Sequence, residues 1–354
     1  MNDLPERMKA VVCHNPGDFR VEEVERPQAK QGEVVIKVKA CGICGSDLKA
    51  YHGADQYWAG DDPWLKAPMI PGHEFYGEVV EVGEGVSDAE IGDLVTTDQI
   101  KPCGECRFCE RGQYWMCEPH HIYGFQNDAN GGMAEYMKFV STSKIYQIPD
   151  SLSMEEASIL EPMADAIHAV QRAEVELEDV VVLAGAGTLG LCMLQIIKLK
   201  TPKKLIVLDV IESRLELARK LGADLCLNPK EEDVVQTVKD LTNGYGCDVY
   251  IEATSSPAGV KQGLEMIRKK GTFVEFSVFA EKTSVDWGII GDQKELDIRG
   301  AHISPYTYPI AIDLFARGLV SAEGIVTDIY SLTDFQEALK TAEGQEAIKV
   351  LLTP

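Results

Sequence analysis

Val180-Val-Val-Leu183 is apolar without interruption, and it runs almost directly into Gly185-Ala-Gly187-Thr188-Leu189-Gly190, which opens a helical stretch. Few folds need that succession. A parallel strand buried on both faces reads as a continuous apolar run, and a sharp turn from it into a helix calls for glycine. The rhythm repeats. Leu205-Ile-Val-Leu208 precedes Glu212 to Arg219, Asp248-Val-Tyr-Ile251 precedes Gly259 to Arg268, and Gly271-Thr-Phe-Val274 follows. Such alternation implies βαβ units around a parallel sheet. Asp209 ends the second strand, roughly twenty residues past the glycines, where a dinucleotide-binding fold carries an acid. Glycines at 185, 187 and 190 let the backbone turn and approach a pyrophosphate held at the N-terminus of the helix. The Asp209 carboxylate can accept from both ribose hydroxyls and repels a 2′-phosphate, so NAD is expected rather than NADP. Arg214 either covers the adenine or is a solvated helix residue.

Upstream of about residue 155 the texture differs. Short β-type runs, Lys9 to Val12, Val34 to Val38, Gly77 to Val82 and Asp93 to Thr97, alternate with glycine-rich turns, which suggests an all-β, barrel-like domain. The last fifty residues, from about Ser304, break the βαβ rhythm and are expected to rejoin that first domain. A chain of 354 residues accommodates two such cores. Its net charge of -23 repels phosphate backbones and anionic lipid, which argues against nucleic acid and membrane as partners. The start shows no basic flank leading into an apolar run, and no stretch approaches the roughly 18 apolar residues of a membrane helix. A soluble cytoplasmic protein is expected.

Ten cysteines are unevenly placed. Cys103, Cys106, Cys109 and Cys117 lie on one short loop, at spacings of three, three and eight. Four thiolates suit tetrahedral zinc and leave no open position, so a structural site is expected, one that folds a loop with little core of its own. Two disulfides are the competing reading in an oxidising setting, and the compact spacing would strain an iron–sulfur cluster. Cys44, in Cys41-Gly-Ile-Cys44-Gly-Ser46-Asp47, and His73-Glu74, in Gly72-His73-Glu74-Phe-Tyr-Gly77, suggest a second metal. A thiolate, an imidazole and a carboxylate form the mixed set of an open, catalytic zinc.

Gly72-His73-Glu74-x-x-Gly77-x5-Gly83-x2-Val86 resembles the signature of the zinc-containing medium-chain alcohol and polyol dehydrogenases. The Cys44 segment, the four-cysteine lobe, Glu161-Pro162 and the glycine turn follow in that family's order, so the resemblance spans essentially the whole chain. It implies an α/β protein with a GroES-like β-barrel catalytic domain, residues 1–157 and 303–354, around a Rossmann doubly wound parallel-sheet domain, residues 158–302. It implies one catalytic and one structural zinc per chain, NAD as cofactor, and a homotetramer or dimer. Cys44 and His73 carry over as zinc ligands, and Glu74 as an acid that ligates or backs the metal. Glu161 stands where simple alcohol dehydrogenases carry a cysteine, as in sorbitol-type and threonine dehydrogenases; it either ligates zinc or holds a zinc-bound water. Ser46 is placed to accept the alcohol proton. The family's relay often continues to a histidine where this chain has Lys49, which leaves His52 or solvent for the next step.

The resemblance favours a secondary alcohol of a small linear polyol, erythritol, threitol or a hexitol, as substrate. The segment Tyr51 to Pro68, with Tyr57, Trp58, Asp61, Asp62 and Trp64, could wall its pocket or be an ordinary surface excursion. Tyr51 and Trp58 are taken from it as substrate residues, and Phe125 and Gln126 by family analogy. A threonine-type amino-alcohol dehydrogenase is the competing enzyme, though a substrate carboxylate wants a basic anchor and this segment is acidic apart from Lys66. A relic without chemistry is a third reading; relatives without zinc lack the ligand set that Cys44, His73, Glu74 and Glu161 complete. Steady-state kinetics with both nucleotides should give the higher kcat/KM with NAD; a preference for NADP would refute the role given to Asp209.

Overall fold

In the computed structural model, which describes residues 4–354, the chain divides into two compact units. Residues up to Glu161 join Tyr308–Pro354 in the first, and Pro162–Thr307 form the second. The first division falls inside the helix Leu160–Ala173, so no loop marks it.

The first unit is built on a seven-stranded sheet. Val326–Ser331, Lys349–Thr353, Val34–Ile43, Glu74–Val82, Leu94–Thr97 and Ile145–Gln147 lie side by side in that order, and Tyr136–Phe139 also pairs with Val34–Ile43. In Val34–Ile43 the exposed Lys37 and Lys39 alternate with the buried Ile36 and Val38, and from Ala40 onward every residue is buried. A strand covered on one side thus becomes one covered on both as it enters the interior. Register fixes what meets there. Gly42 lies opposite Glu74, and Val350 opposite Ile43. Cys44, His73-Glu74 and Lys349 therefore sit at the same end of three adjacent strands. Only glycine fits at position 42, since a Cβ there would stand 2.1 Å from Glu74 Oε2.

All six strands of the second unit are parallel, in the order Leu225–Leu227, Lys204–Leu208, Val180–Ala184, Cys247–Glu252, Ile267–Glu275, Asp297–Gly300. Helices Thr188–Leu199, Glu212–Lys220, Val234–Leu241 and Pro257–Met266 connect the first five in chain order. The strand order reverses between Val180–Ala184 and Cys247–Glu252, and ligands of such sheets bind beyond the carboxyl ends of the strands at that point. There the turn after Glu252 packs on the first glycine of the loop: a Cβ on Gly185, whose φ is +105°, would lie 2.6 Å from the Ala253 carbonyl oxygen.

Glu252, fully buried, and Glu275 are register neighbours at the ends of their strands. Glu252 Oε1 accepts from Thr254 N at 2.8 Å, whereas Oε2 of Glu252 and Oε1 of Glu275 have no partner. Burial first, and then the neighbouring Glu252 charge, push the Glu275 carboxyl from 4.5 up to about 7. Between those values the folded chain holds a proton that the unfolded chain has lost, so this residue's contribution falls as pH rises. Glu275→Gln should accordingly raise the thermal midpoint at pH 8 and change it little at pH 4, checked by calorimetry across that range.

Candidate metal centre and cofactor site

Cys44 caps the short helix Gly45–Tyr51 at the end of the strand Val34–Ile43. Its backbone N–H donates to Asp47 Oδ2 at 2.9 Å, which turns Asp47 inward. There Asp47 Oδ1 stands 3.7 Å from His73 Nδ1, both atoms buried and neither hydrogen-bonded. The other ring nitrogen, Nε2, lies 3.4 Å from Ser46 Oγ. One ligand atom each from Cys44, His73 and Glu74 falls within 4.8 Å of the others. Behind them Lys349 Nζ reaches Glu74 Oε1 at 2.7 Å, and also bonds Oε2 and the Ile43 carbonyl. Glu161 is buried, and its Oε1 accepts from Gln99 Nε2 at 2.8 Å.

The charge balance of this cluster is lopsided. Burial would lower the His73 pKa, yet Asp47, the Cys44 sulfur and Glu161 together hold it well above its ordinary value. Burial likewise disfavours the charged Lys349, and Glu74 foremost, then Cys44 and Glu161, raise it above the ordinary lysine range. Asp47 is pushed up, mainly by burial. A thiol and three carboxyls are thus gathered in a water-poor place around one lysine and one imidazole. A divalent cation fits: it would meet a sulfur, a ring nitrogen and carboxylate oxygen, and His73 could then stay neutral with Asp47 orienting its ring from behind.

The second group comprises Cys103, Cys106, Cys109 and Cys117, again with all four sulfurs within 4.8 Å of one another. Backbone N–H groups of Cys103, Cys106 and Glu118 point at the sulfurs of Cys117, Cys103 and Cys106, at 3.2 to 3.5 Å. The Glu118 and Cys109 backbone bonds pull the Cys106 thiol down to about 6, whereas burial pushes the Cys117 thiol up and that of Cys109 up to about 12. Donors aimed at sulfur favour thiolates, as a four-sulfur zinc site needs. No disulfide joins any of the ten cysteines.

In the second unit Gly187 caps the helix Thr188–Leu199, and Gly190 lies so close to Gly185 that a Cβ would stand 2.0 Å from its carbonyl oxygen. Beside Gly187 there is open space, bounded by the Arg214 guanidinium 4.0 Å from the position of a Cβ. Asp209 Oδ2 accepts from Ala186 N at 2.7 Å and Oδ1 from Ile211 N at 2.9 Å. The acid at the strand end and the glycine loop are therefore one hydrogen-bonded piece.

Two family models match the chain: the alcohol dehydrogenase GroES-like domain over residues 30–150, and zinc-binding dehydrogenase over residues 188–317. The chain belongs to the zinc-binding dehydrogenases. It is 46% identical to the erythritol/L-threitol dehydrogenase of Mycolicibacterium smegmatis, over all of this chain and 99% of the relative. Among solved structures, a zinc-binding dehydrogenase from Sinorhizobium meliloti 1021 bound to NADP superposes with a TM-score of 0.90 at 29% identity, covering 99% of this chain and all of that one. An alcohol dehydrogenase of Escherichia coli CFT073 complexed with NADH gives 0.89 at 29% identity, with the same coverage.

Around the metal cluster of this dehydrogenase stands an aromatic wall. The Phe125 ring lies 5.4 Å from His73, with Tyr57 at 5.4 Å and Trp64 at 5.2 Å behind it. Gln126 pins that wall, accepting from Ile122 N at 2.7 Å and donating to the Trp64 carbonyl at 3.3 Å. Tyr51 and Trp58 are placed differently. The Tyr51 ring sits edge-on to Phe19 at 5.3 Å, and Trp58 Nε1 donates to the Ala50 carbonyl at 2.7 Å. His52 is exposed and paired with Glu343 at 2.6 Å.

Reading the sequence missed three residues of the dehydrogenase centre: Asp47, Gln99 and Lys349. Asp47 directly follows Ser46 in the quoted motif, and Lys349 is the one charge in the apolar run Ala347-Ile-Lys-Val-Leu-Leu352, a pattern that calls for a buried acid. Gln99 carried no such signal. Lys349 and Glu74 are both nearly fully buried, so removing one leaves the other uncompensated. Lys349→Met should cost about 3–5 kcal/mol in urea unfolding. Adding Glu74→Gln to it should recover much of that loss; a single variant as stable as the parent would contradict the pairing.

Proposed function

We propose that this dehydrogenase oxidises a secondary hydroxyl of a small linear polyol, a tetritol such as erythritol or threitol, to the ketose, with NAD taking the hydride. The observation that carries the chemistry is the cluster of Cys44, His73 and Glu74 with its surplus of negative charge, which accommodates a dication where a substrate oxygen could reach it. The 46% identity to an enzyme named for erythritol and L-threitol, end to end, supports the substrate class.

In this reading Cys44 and His73 hold the zinc, with Glu74 and Glu161 as the carboxylates beside it. Zinc bound there supplies electrostatic stabilisation of the negative charge that develops on a hydroxyl oxygen. Ser46 Oγ takes up the proton leaving that oxygen. Asp47, 3.7 Å behind His73 Nδ1, would orient the ring electrostatically, so that Nε2 would face a bound metal. Phe125, Tyr57 and Trp64 exclude water from the reacting carbon. With His52 committed to Glu343 on the surface, solvent is the better continuation of the relay past Ser46. Gly185, Gly187, Thr188, Leu189 and Gly190 would cradle the pyrophosphate, Asp209 would take the ribose hydroxyls, and Arg214 would cover the adenine. A bound nicotinamide would supply the hydride acceptor, so that alcohol and oxidised cofactor would give ketone, reduced cofactor and a proton.

We further place the enzyme in the cytoplasm, as a homotetramer or dimer. A cysteine lobe suited to metal rather than to disulfides fits a reducing compartment. The strand Asp297–Gly300 ends its sheet, and Trp287 is 76% exposed, which suits association through this region.

A panel of three- to six-carbon polyols and the matching ketoses, assayed with NAD and NADH, tests the substrate. Tetritols should give the highest kcat/KM. Turnover of ethanol or threonine with none of the polyols would overturn the assignment.

A further inference from the structure

The segment that leaves the strand Leu94–Thr97 toward the cysteine lobe is polar for four residues running, Thr96-Thr-Asp-Gln99, and yet buried, with exposures of 2%, 0%, 2% and 2%. Four consecutive buried polar side chains are costly unless each is satisfied, and each is spent on a different part of the first unit. Thr96 Oγ1 donates to the Phe75 carbonyl at 2.7 Å, one residue from Glu74, and Thr97 Oγ1 to the Lys144 carbonyl at 2.7 Å. Asp98 Oδ2 accepts from the hydroxyls of Tyr114, at 2.8 Å, and Tyr146, at 2.9 Å. Tyr114 lies within the cysteine lobe, between Cys109 and Cys117. Gln99 then donates from Nε2 to Glu161 Oε1 at 2.8 Å, while its own carbonyl accepts from Tyr123 N at 2.8 Å. Its backbone is thus clamped, and its amide is aimed at one carboxylate.

We propose that Gln99 is a positioning residue, which fixes the carboxylate of Glu161 beside the metal-ligand cluster. Glu161 is the second residue of the helix Leu160–Ala173, at the edge of its unit, and a glutamate there has three rotatable bonds with which to miss its target. A donor held by a strap tied to both the strand of Glu74 and the cysteine lobe removes that freedom. The inference rests on the reading of Cys44, His73 and Glu161 as a catalytic metal site, and it assigns to Gln99 a task that simple filling of space does not require.

Gln99→Met keeps nearly the same volume and removes the donor. Thr97→Val, in the same strap, removes a buried hydrogen bond that does not reach Glu161. Each variant is prepared with Co(II) in the catalytic site, its visible d–d spectrum is recorded, and kcat and KM are measured with the alcohol and with NAD. Gln99→Met should shift the d–d band and lower kcat by about 10- to 100-fold, the usual size of a loss behind a metal ligand, with KM for NAD unchanged. Thr97→Val should lower the thermal midpoint alone. If the two variants match in spectrum and in kinetic constants, Gln99 is only structural and the proposal fails. A parent enzyme with no cobalt band beyond that of a four-sulfur site would instead overturn the metal assignment itself, and this inference with it.

Discussion

Negative charge held out of water is what the first unit is organised to manage. Cys44, Asp47, Glu74 and Glu161 converge on one end of the sheet, where Lys349 and His73 answer them. Such an arrangement is expensive in a low-dielectric interior, and it persists where a cation shares it. The rest of the unit follows from that need. Gly42 makes room for a carboxylate, and the helix after Cys44 turns Asp47 toward the back of His73. A C-terminal strand brings Lys349 some 300 residues along the chain to sit opposite the others. The strand Lys349–Thr353 and the strand Val34–Ile43 thus meet at this cluster.

The second unit manages a different burden with backbone rather than with charge. Its glycine loop, helix N-terminus and Asp209 form a cradle whose donors are main-chain amides, suited to phosphate and ribose. In the proposed reading the first unit handles the proton and the second the hydride carrier, and each builds its part from its own elements.

How far the chain disclosed this depended on whether a feature was local. The glycine loop, the alternating strands and helices, and the cysteine spacing are all set by neighbours within about thirty residues, and periodicity reports such neighbours well. Cys44 and His73 were legible because each carries its own short context. Lys349 and Gln99 act on residues far away in sequence, at Glu74 and Glu161, and no window of sequence contains both members of either pair. Tyr51 and Trp58 illustrate the opposite difficulty. Aromatic residues near a motif could face a pocket or the core, and side-chain direction on a short helix decides it; Tyr51 turned to Phe19, whereas Tyr57 turned to Phe125. The passage between the two units at Glu161 is likewise silent in composition, because an unbroken helix crosses it.

The double engagement of Asp209 with the amides of Ala186 and Ile211 carries a consequence for anyone wishing to retune this enzyme. In the proposed reading its carboxylate is at once a recognition element for the ribose and, through these two bonds, a rivet for the glycine turn. A redesign toward phosphorylated nucleotides that merely erases the acid would slacken the phosphate cradle shared by both nucleotides. Success would require a replacement that bonds the same two amides while welcoming an anion. Specificity and scaffold are, at that single side chain, the same thing.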